Sequence, residues 1–124
     1  MKKSLFPLGE TEMEILHYVW KMEKATVGEV HELILKKRKT AYTTIMTIMK
    51  NLYEKGYLTY EKKGVTYVYS PAIKPEEVKQ SLLASLLNKV FEGSPTDLIQ
   101  TLSVNEELSN DDRKAIEAII KNMK

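Results

Sequence analysis

A chain of 124 residues, 43% hydrophobic and 29% charged, has the composition of a folded protein and the length of one ordinary domain or two very small ones. It holds no cysteine, which excludes disulfides, thiolate metal sites and cysteine nucleophiles together. No apolar run approaches the ~20 residues that span a bilayer, and the net charge of +2 excludes a general polycation. The start, MKKSLFPLGE, has a basic pair with no apolar stretch behind it, so a cytoplasmic chain without membrane insertion is expected.

The first predicted helix runs from about Gly9 to Met22. Ile15, Leu16, Val19 and Trp20 form its apolar stripe, and Glu10, Glu12 and Glu14 sit near its positive end. Trp20 reads as a core anchor. Thr26-Val27-Gly28-Glu29 has capping-box spacing and opens a second helix to about Lys37, with Val30, Leu33 and Ile34 inward. The cations Lys36 to Lys39 suit its C-terminus.

The third helix is predicted from about Ala41 to Lys55, with Ile45, Ile48, Met49 and Leu52 on one face. At about 100° per residue the opposite face carries Thr43, Met46, Thr47 and Lys50, flanked by Thr44 and Asn51. Long charged side chains normally occupy such a face, because they keep helix propensity. Short hydroxyls there imply a partner that approaches closely. Gly56 is a natural residue just past the helix end.

A hairpin follows. Leu58-Thr59-Tyr60-Glu61 and Val65-Thr66-Tyr67-Val68-Tyr69 are rich in strand formers, Lys62-Lys63-Gly64 is the predicted turn, and Pro71 ends the second strand. Three helices and a terminal hairpin in this order read as a winged helix. The hydroxyl face suits a major groove, and Lys62 and Lys63 sit on a wing that reaches phosphate. Residues 36–63 hold eight cations against two anions, the pattern of a protein that meets a polyanion with one face.

The composition changes at Ala72-Ile73-Lys74-Pro75, which sets the expected division: a DNA-binding domain over residues 1–73 and a helical dimerisation domain over 74–124. A helix from about Pro75 to Phe91 carries Val78, Leu82, Leu83, Leu86, Leu87, Val90 and Phe91. Glu92-Gly93-Ser94-Pro95 breaks it. A short helix from about Pro95 to Leu102 bears Leu98, Ile99 and Leu102. Ser109 with Asp112 marks a last helix with Ala115, Ile116, Ile119 and Ile120. Some fifty residues cannot bury this much apolar surface alone, so Val78, Leu82, Leu83, Leu86, Leu87, Val90, Leu98, Leu102, Ile116, Ile119 and Ile120 are expected to meet a second copy of the chain.

These features resemble the bacterial penicillinase-repressor family, which includes the methicillin-resistance and copper-transport repressors. The resemblance spans nearly the whole chain. It rests on Leu8-Gly9-Glu10-Thr11-Glu12, Trp20, Ala41-Tyr42-Thr43-Thr44-Ile45-Met46-Thr47, Leu52, Lys55-Gly56, Tyr69-Ser70-Pro71, Phe91-Glu92-Gly93-Ser94 and Glu106-Glu107-Leu108-Ser109. It implies a mainly α, winged helix-turn-helix repressor. Such a protein is a homodimer on a palindromic DNA operator, held by the third helix and paired through the C-terminal helices. Penicillinase-type members are inactivated by cleavage of an Asn-Phe bond in the tail, the work of a membrane sensor protease. Here Thr101-Leu102 falls at that place. The cysteine cluster of copper-responsive members is absent.

Lys39, Tyr42, Thr43, Thr44, Met46, Thr47, Lys50, Asn51, Lys62 and Lys63 are therefore the expected DNA contacts. No catalytic, metal or cofactor site is expected. His17 and His31 are the only histidines and lack a matching ligand set, and no Gly-rich phosphate loop or nucleophile motif is present. The alternative reading is a winged-helix module that docks another protein through its Tyr and Thr surfaces without binding DNA.

Overall fold

The computed structural model describes residues 8–121, less the side chains of residues 116, 117 and 119–121. It orders α1 (Glu10–Met22), β1 (Ala25–Thr26), α2 (Val27–Leu35), α3 (Tyr42–Glu54), β2 (Leu58–Lys63), β3 (Thr66–Pro71), α4 (Pro75–Val90), α5 (Pro95–Ser103) and α6 (Asn110–Lys121). The chain forms two compact units that divide between Leu82 and Leu83, inside α4.

In the first unit α3 packs on α1 and α2 and abuts β2, while α1 also packs on β3. Ile15, Leu16 and Val19 of α1, Val30 and Ile34 of α2, and Ile45, Met49 and Leu52 of α3 are fully buried together. Trp20 and Ile48 pack against this core from its edge. Most of each apolar stripe read from sequence is thus the face that the helix buries; Leu33, expected inward on α2, is only half-buried and is not part of this core. Thr26 caps α2 as its spacing predicts. Its hydroxyl accepts from the Glu29 N–H at 3.1 Å, and the Glu29 carboxylate accepts from the Thr26 N–H at 2.9 Å.

The sheet has three strands in the order β1-β3-β2, all antiparallel neighbours. The sequence reading gave only the hairpin. β1 is two residues long and doubles as the cap of α2, so it leaves no alternating pattern to detect. Lys62 and Lys63, expected in the turn, lie instead in β2. Lys62 pairs with Tyr67 and Lys63 with Thr66, which leaves Gly64 and Val65 as a two-residue turn. Gly64 has φ of +64°, which a residue with a side chain adopts at a cost.

Two ion pairs tie α1 to the flanks of α3. Arg38 meets Glu14 through both guanidinium NH2 groups, at 2.7 and 3.2 Å, and Lys55 meets Glu12 at 2.8 and 3.0 Å. The Arg38 hydrogen bond, against slight desolvation and with the charges of Arg38 and Lys37, holds the Glu14 carboxyl below the usual carboxylate range. Burial pushes the Glu12 carboxyl up, but the Gly9 N–H and Lys55 together outweigh it and leave the group lowered. Both pairs are partly solvated, so they fix geometry more than they add stability.

The second unit comprises the rest of α4 with α5 and α6, and α5 packs on α6. Ser94 and Ser109 cap α5 and α6, accepting from the N–H groups of Asp97 and Asp112 at 3.2 and 3.1 Å. Among its described side chains none is fully buried, and Leu83, Val90 and Val104 are exposed.

Candidate nucleic-acid interface

Burial of Ile45, Met49 and Leu52 fixes the rotation of α3 about its axis. Thr43, Thr44, Met46, Thr47, Lys50 and Asn51 are consequently all exposed, with Met46 at 44%. Tyr42 stands exposed at the first position of the helix, and Lys39 is exposed in the segment leading into it. The structure therefore brings eight of the ten expected contact residues onto or next to one open helix face.

The start of α3 is chemically distinct. Ala41 occupies the N-cap and makes no side-chain cap hydrogen bond, and the first turn carries no acid. Every other helix carries at least one acid in its first turn. The positive helix end is thus left available to an outside anion.

The wing divides its two lysines. Neighbouring strand residues point to opposite faces, so Lys62 shares a face with Tyr60 while Lys63 does not. The pairing of Tyr60 with Tyr69, and of Lys62 with Tyr67, puts those tyrosines on the same face. The Lys62 ammonium lies 5.7 Å from the Tyr67 ring centre, a cation–π contact. That face looks onto α3. Met46, Thr47, Lys50, Asn51, Tyr53 and Glu54 of α3, with Tyr60, Tyr67 and Tyr69 of the wing, enclose a cleft of about 650 Å³. Tyr60 is its hub, with ring centres 4.8 Å from Tyr53, 4.7 Å from Tyr67 and 5.7 Å from Tyr69. Burial first, then the neighbouring phenols, pushes the Tyr69 hydroxyl above its ordinary value.

Tyr53, Tyr60 and Tyr67 are each about two-fifths exposed; the sequence reading named Tyr60 and Tyr67 as strand formers and did not single out Tyr53. The available signal was the alternation of Tyr60 with Lys62 and of Tyr67 with Tyr69, which puts aromatics and a cation on one face of a hairpin. Val65, at the wing tip, is 94% exposed.

Among the expected dimer residues, Val78 is corrected. It is only 2% exposed and belongs to the core of the first unit, with Leu82 packed against it. The first turns of α4 are spent on that core, which a reading that ended the domain at residue 73 could not anticipate. Leu83 and Val90 are exposed, and Leu86, Leu87, Leu98 and Leu102 are half-buried. The side chains of Ile116, Ile119 and Ile120 lie outside the described residues. Thr101 and Leu102 lie inside α5, and the Thr101 hydroxyl donates to Asp97 O at 2.8 Å. Among the described residues no His/Cys/Asp/Glu group could hold a metal ion, and no helix is long and apolar enough to cross a membrane.

The family model described as penicillinase repressor matches residues 8–122. The chain is 26% identical over 113 residues to the penicillinase repressor of Staphylococcus aureus, covering 91% of this chain and 90% of that one. It is 23% identical over 120 residues to the methicillin resistance regulatory protein MecI of Mammaliicoccus sciuri, covering 97% of this chain and 98% of that one. Among solved structures it resembles the DNA-binding domain of the repressor BlaI, with 28% identity and a TM-score of 0.52, over 61% of this chain and 93% of that one. It also resembles a MarR variant from E. coli, with a TM-score of 0.55 over 94% of this chain and 77% of that one. Identity there is 13%, so the likeness concerns the fold alone.

Proposed function

The chain belongs to the penicillinase repressor family, and from that premise we propose that it is a homodimeric transcriptional repressor that grips a two-fold operator through α3 and the wing. Membership in a family of repressors sets aside an enzymatic role. The observation that carries the reading is the open face of α3: three threonines, a methionine and a lysine beside a helix start free of acid, faced by a basic, aromatic wing. A purely protein-docking module has no need of an N-terminus left open to anions.

Within this reading Thr43, Met46 and Thr47 meet base edges or the thymine methyl. Lys39, Lys50, Lys62 and Lys63 meet phosphate, assisted by Tyr42, Thr44 and Asn51. The tyrosines of the cleft extend that surface, since a DNA strand passing from α3 to the wing crosses them. The roles separate experimentally by salt dependence. Lys62→Ala is expected to weaken all DNA sequences alike and to lower the salt slope by roughly one unit per half-site. Thr47→Ala is expected to change the preferred sequence and leave the slope intact. Fluorescence anisotropy over a salt series reads both. A Lys62→Ala protein with altered sequence choice and an unchanged slope would refute the assignment.

Release from DNA follows, in this reading, from cleavage of the tail by a sensor protease at or near Thr101-Leu102. That bond sits in a nine-residue helix, a length that is marginal in water without tertiary support. Local unwinding of α5 would expose it, since proteases cut chain that has left its helix. Cleavage there removes α6 and with it part of the proposed pairing surface. Immunoblots of cells during derepression are expected to show a shortened repressor. Full-length protein throughout derepression eliminates this route.

A further inference from the structure

His31 lies on α2, half-buried, and its Nε2 is 2.6 Å from the carbonyl oxygen of Thr40. A carbonyl oxygen only accepts, so Nε2 carries the hydrogen and donates it. Thr40 is the residue before Ala41, and Ala41 is the N-cap of α3. The bond therefore joins the middle of one helix of the helix-turn-helix to the residue just before the N-cap of the other. The same imidazole meets the Tyr42 ring edge-on, with centroids 5.8 Å apart and planes at 87°. Tyr42 is the first residue of α3 and 48% exposed.

The segment from 36 to 41 has few other anchors at that end. Ile34 O accepts from the N–H groups of Lys37 and Arg38, and Arg38 reaches Glu14, so the near half is held from α2 and α1. The far half leads into a helix whose N-cap side chain is a methyl group and makes no hydrogen bond. A capping serine or aspartate would fix where such a helix begins. Here the side-chain anchor next to the helix start is of another kind: the imidazole donates to the carbonyl one residue upstream of the N-cap and caps no N–H of the helix.

We propose that His31 is a positioning residue for operator binding: its Nε2–H, donated to Thr40 O, sets the turn into α3, and its ring edge orients Tyr42. The inference rests on α3 being the DNA-reading helix, as proposed above. His31 itself touches no DNA in this account. It acts through the height at which the first turn of α3 starts and through the rotamer of Tyr42. A shift of that turn moves Thr43, Thr44, Met46 and Thr47 together, so specific binding suffers while general attraction to DNA is kept.

The test compares His31→Leu, which keeps bulk and loses the donor, with His31→Gln, whose amide nitrogen substitutes for Nε2. Two measurements are made on the full chain: amide hydrogen exchange of Thr44 and Ile45, whose N–H groups donate to Ala41 O, without DNA, and affinity for operator against unrelated duplex. His31→Leu is expected to speed exchange at Thr44 and Ile45 and to lower operator affinity about tenfold, the size of one lost, partly buried hydrogen bond. Affinity for unrelated DNA is expected to hold. His31→Gln is expected to recover most of both. Unchanged exchange at Thr44 and Ile45 in His31→Leu overturns the proposal whatever the DNA result. Faster exchange with unaltered operator affinity overturns the positioning role alone. If the wild-type protein binds no duplex, the repressor reading fails, and the exchange data still decide whether His31 sets the turn. Should His31→Leu fail to fold, His31→Asn, too short to reach Thr40 O, takes its place with the same outcomes.

Discussion

Replacing Leu83 and Leu87 together by Asp is expected to give a monomer whose operator affinity is lower by a factor on the order of 10²–10⁴. Leu83 is exposed and Leu87 half-buried in a unit with no fully buried residue among its described side chains. Three short helices that leave leucines and valines at the surface have a core to complete, and in the proposed dimer a second copy of the chain completes it symmetrically. Charge at that seam costs the full desolvation of two carboxylates per chain. A monomer keeps one reading head and loses the second half-site, so the loss is one of effective concentration rather than of contacts. Helical content and the first unit should survive, because Val78 and Leu82 sit on its side of the division after Leu82. Sedimentation velocity on the wild type and the variant is the check. A wild-type chain that sediments as a monomer at micromolar concentration removes the basis for the dimer.

The second large effect contrasts neighbours on α3. Ile45 is fully buried in the core of the first unit, and Met46 is 44% exposed on the face proposed to meet DNA. Ile45→Ala deletes apolar volume from a close-packed site and is expected to cost about 2–5 kcal/mol in urea unfolding. That is a large part of the roughly 5–15 kcal/mol that holds a domain together, and small domains sit low in that range. Met46→Ala is expected to leave stability within about 0.5 kcal/mol and to weaken operator binding instead. Two adjacent residues would then separate fold from function. Equal stability losses at the two positions would mean that the helix is rotated from the orientation described.

The helical frame was legible in the sequence because its causes are local. Thr26 and Glu29 state where α2 begins, Gly9 and Gly56 bracket α1 and α3, and the spacing of Ile45, Met49 and Leu52 states which way α3 faces. What escaped depends on pairing between distant segments. β1 exists only because Ala25 and Thr26 meet Tyr69 and Val68. The strand positions of Lys62 and Lys63 follow from register with Tyr67 and Thr66, whereas two lysines before a glycine look locally like a turn. Val78 shows the limit of periodicity: its place in an apolar stripe says that it is buried, not against which partner. Alternation along the hairpin marked one aromatic face of the wing, but its closure onto Tyr53 of α3, and the contacts of His31 with Thr40 and Tyr42, needed three-dimensional neighbours.

The central claim, a two-fold repressor that reads DNA through α3, is tested most directly by footprinting the wild-type protein on DNA upstream of its own gene. The expected result is two protected half-sites on one face of the duplex, with centres one helical turn apart or a multiple of it. Protection should be lost in parallel at both half-sites for the Leu83/Leu87 double variant. Protection of a single unpaired site, or none on any duplex at moderate salt, would contradict the account.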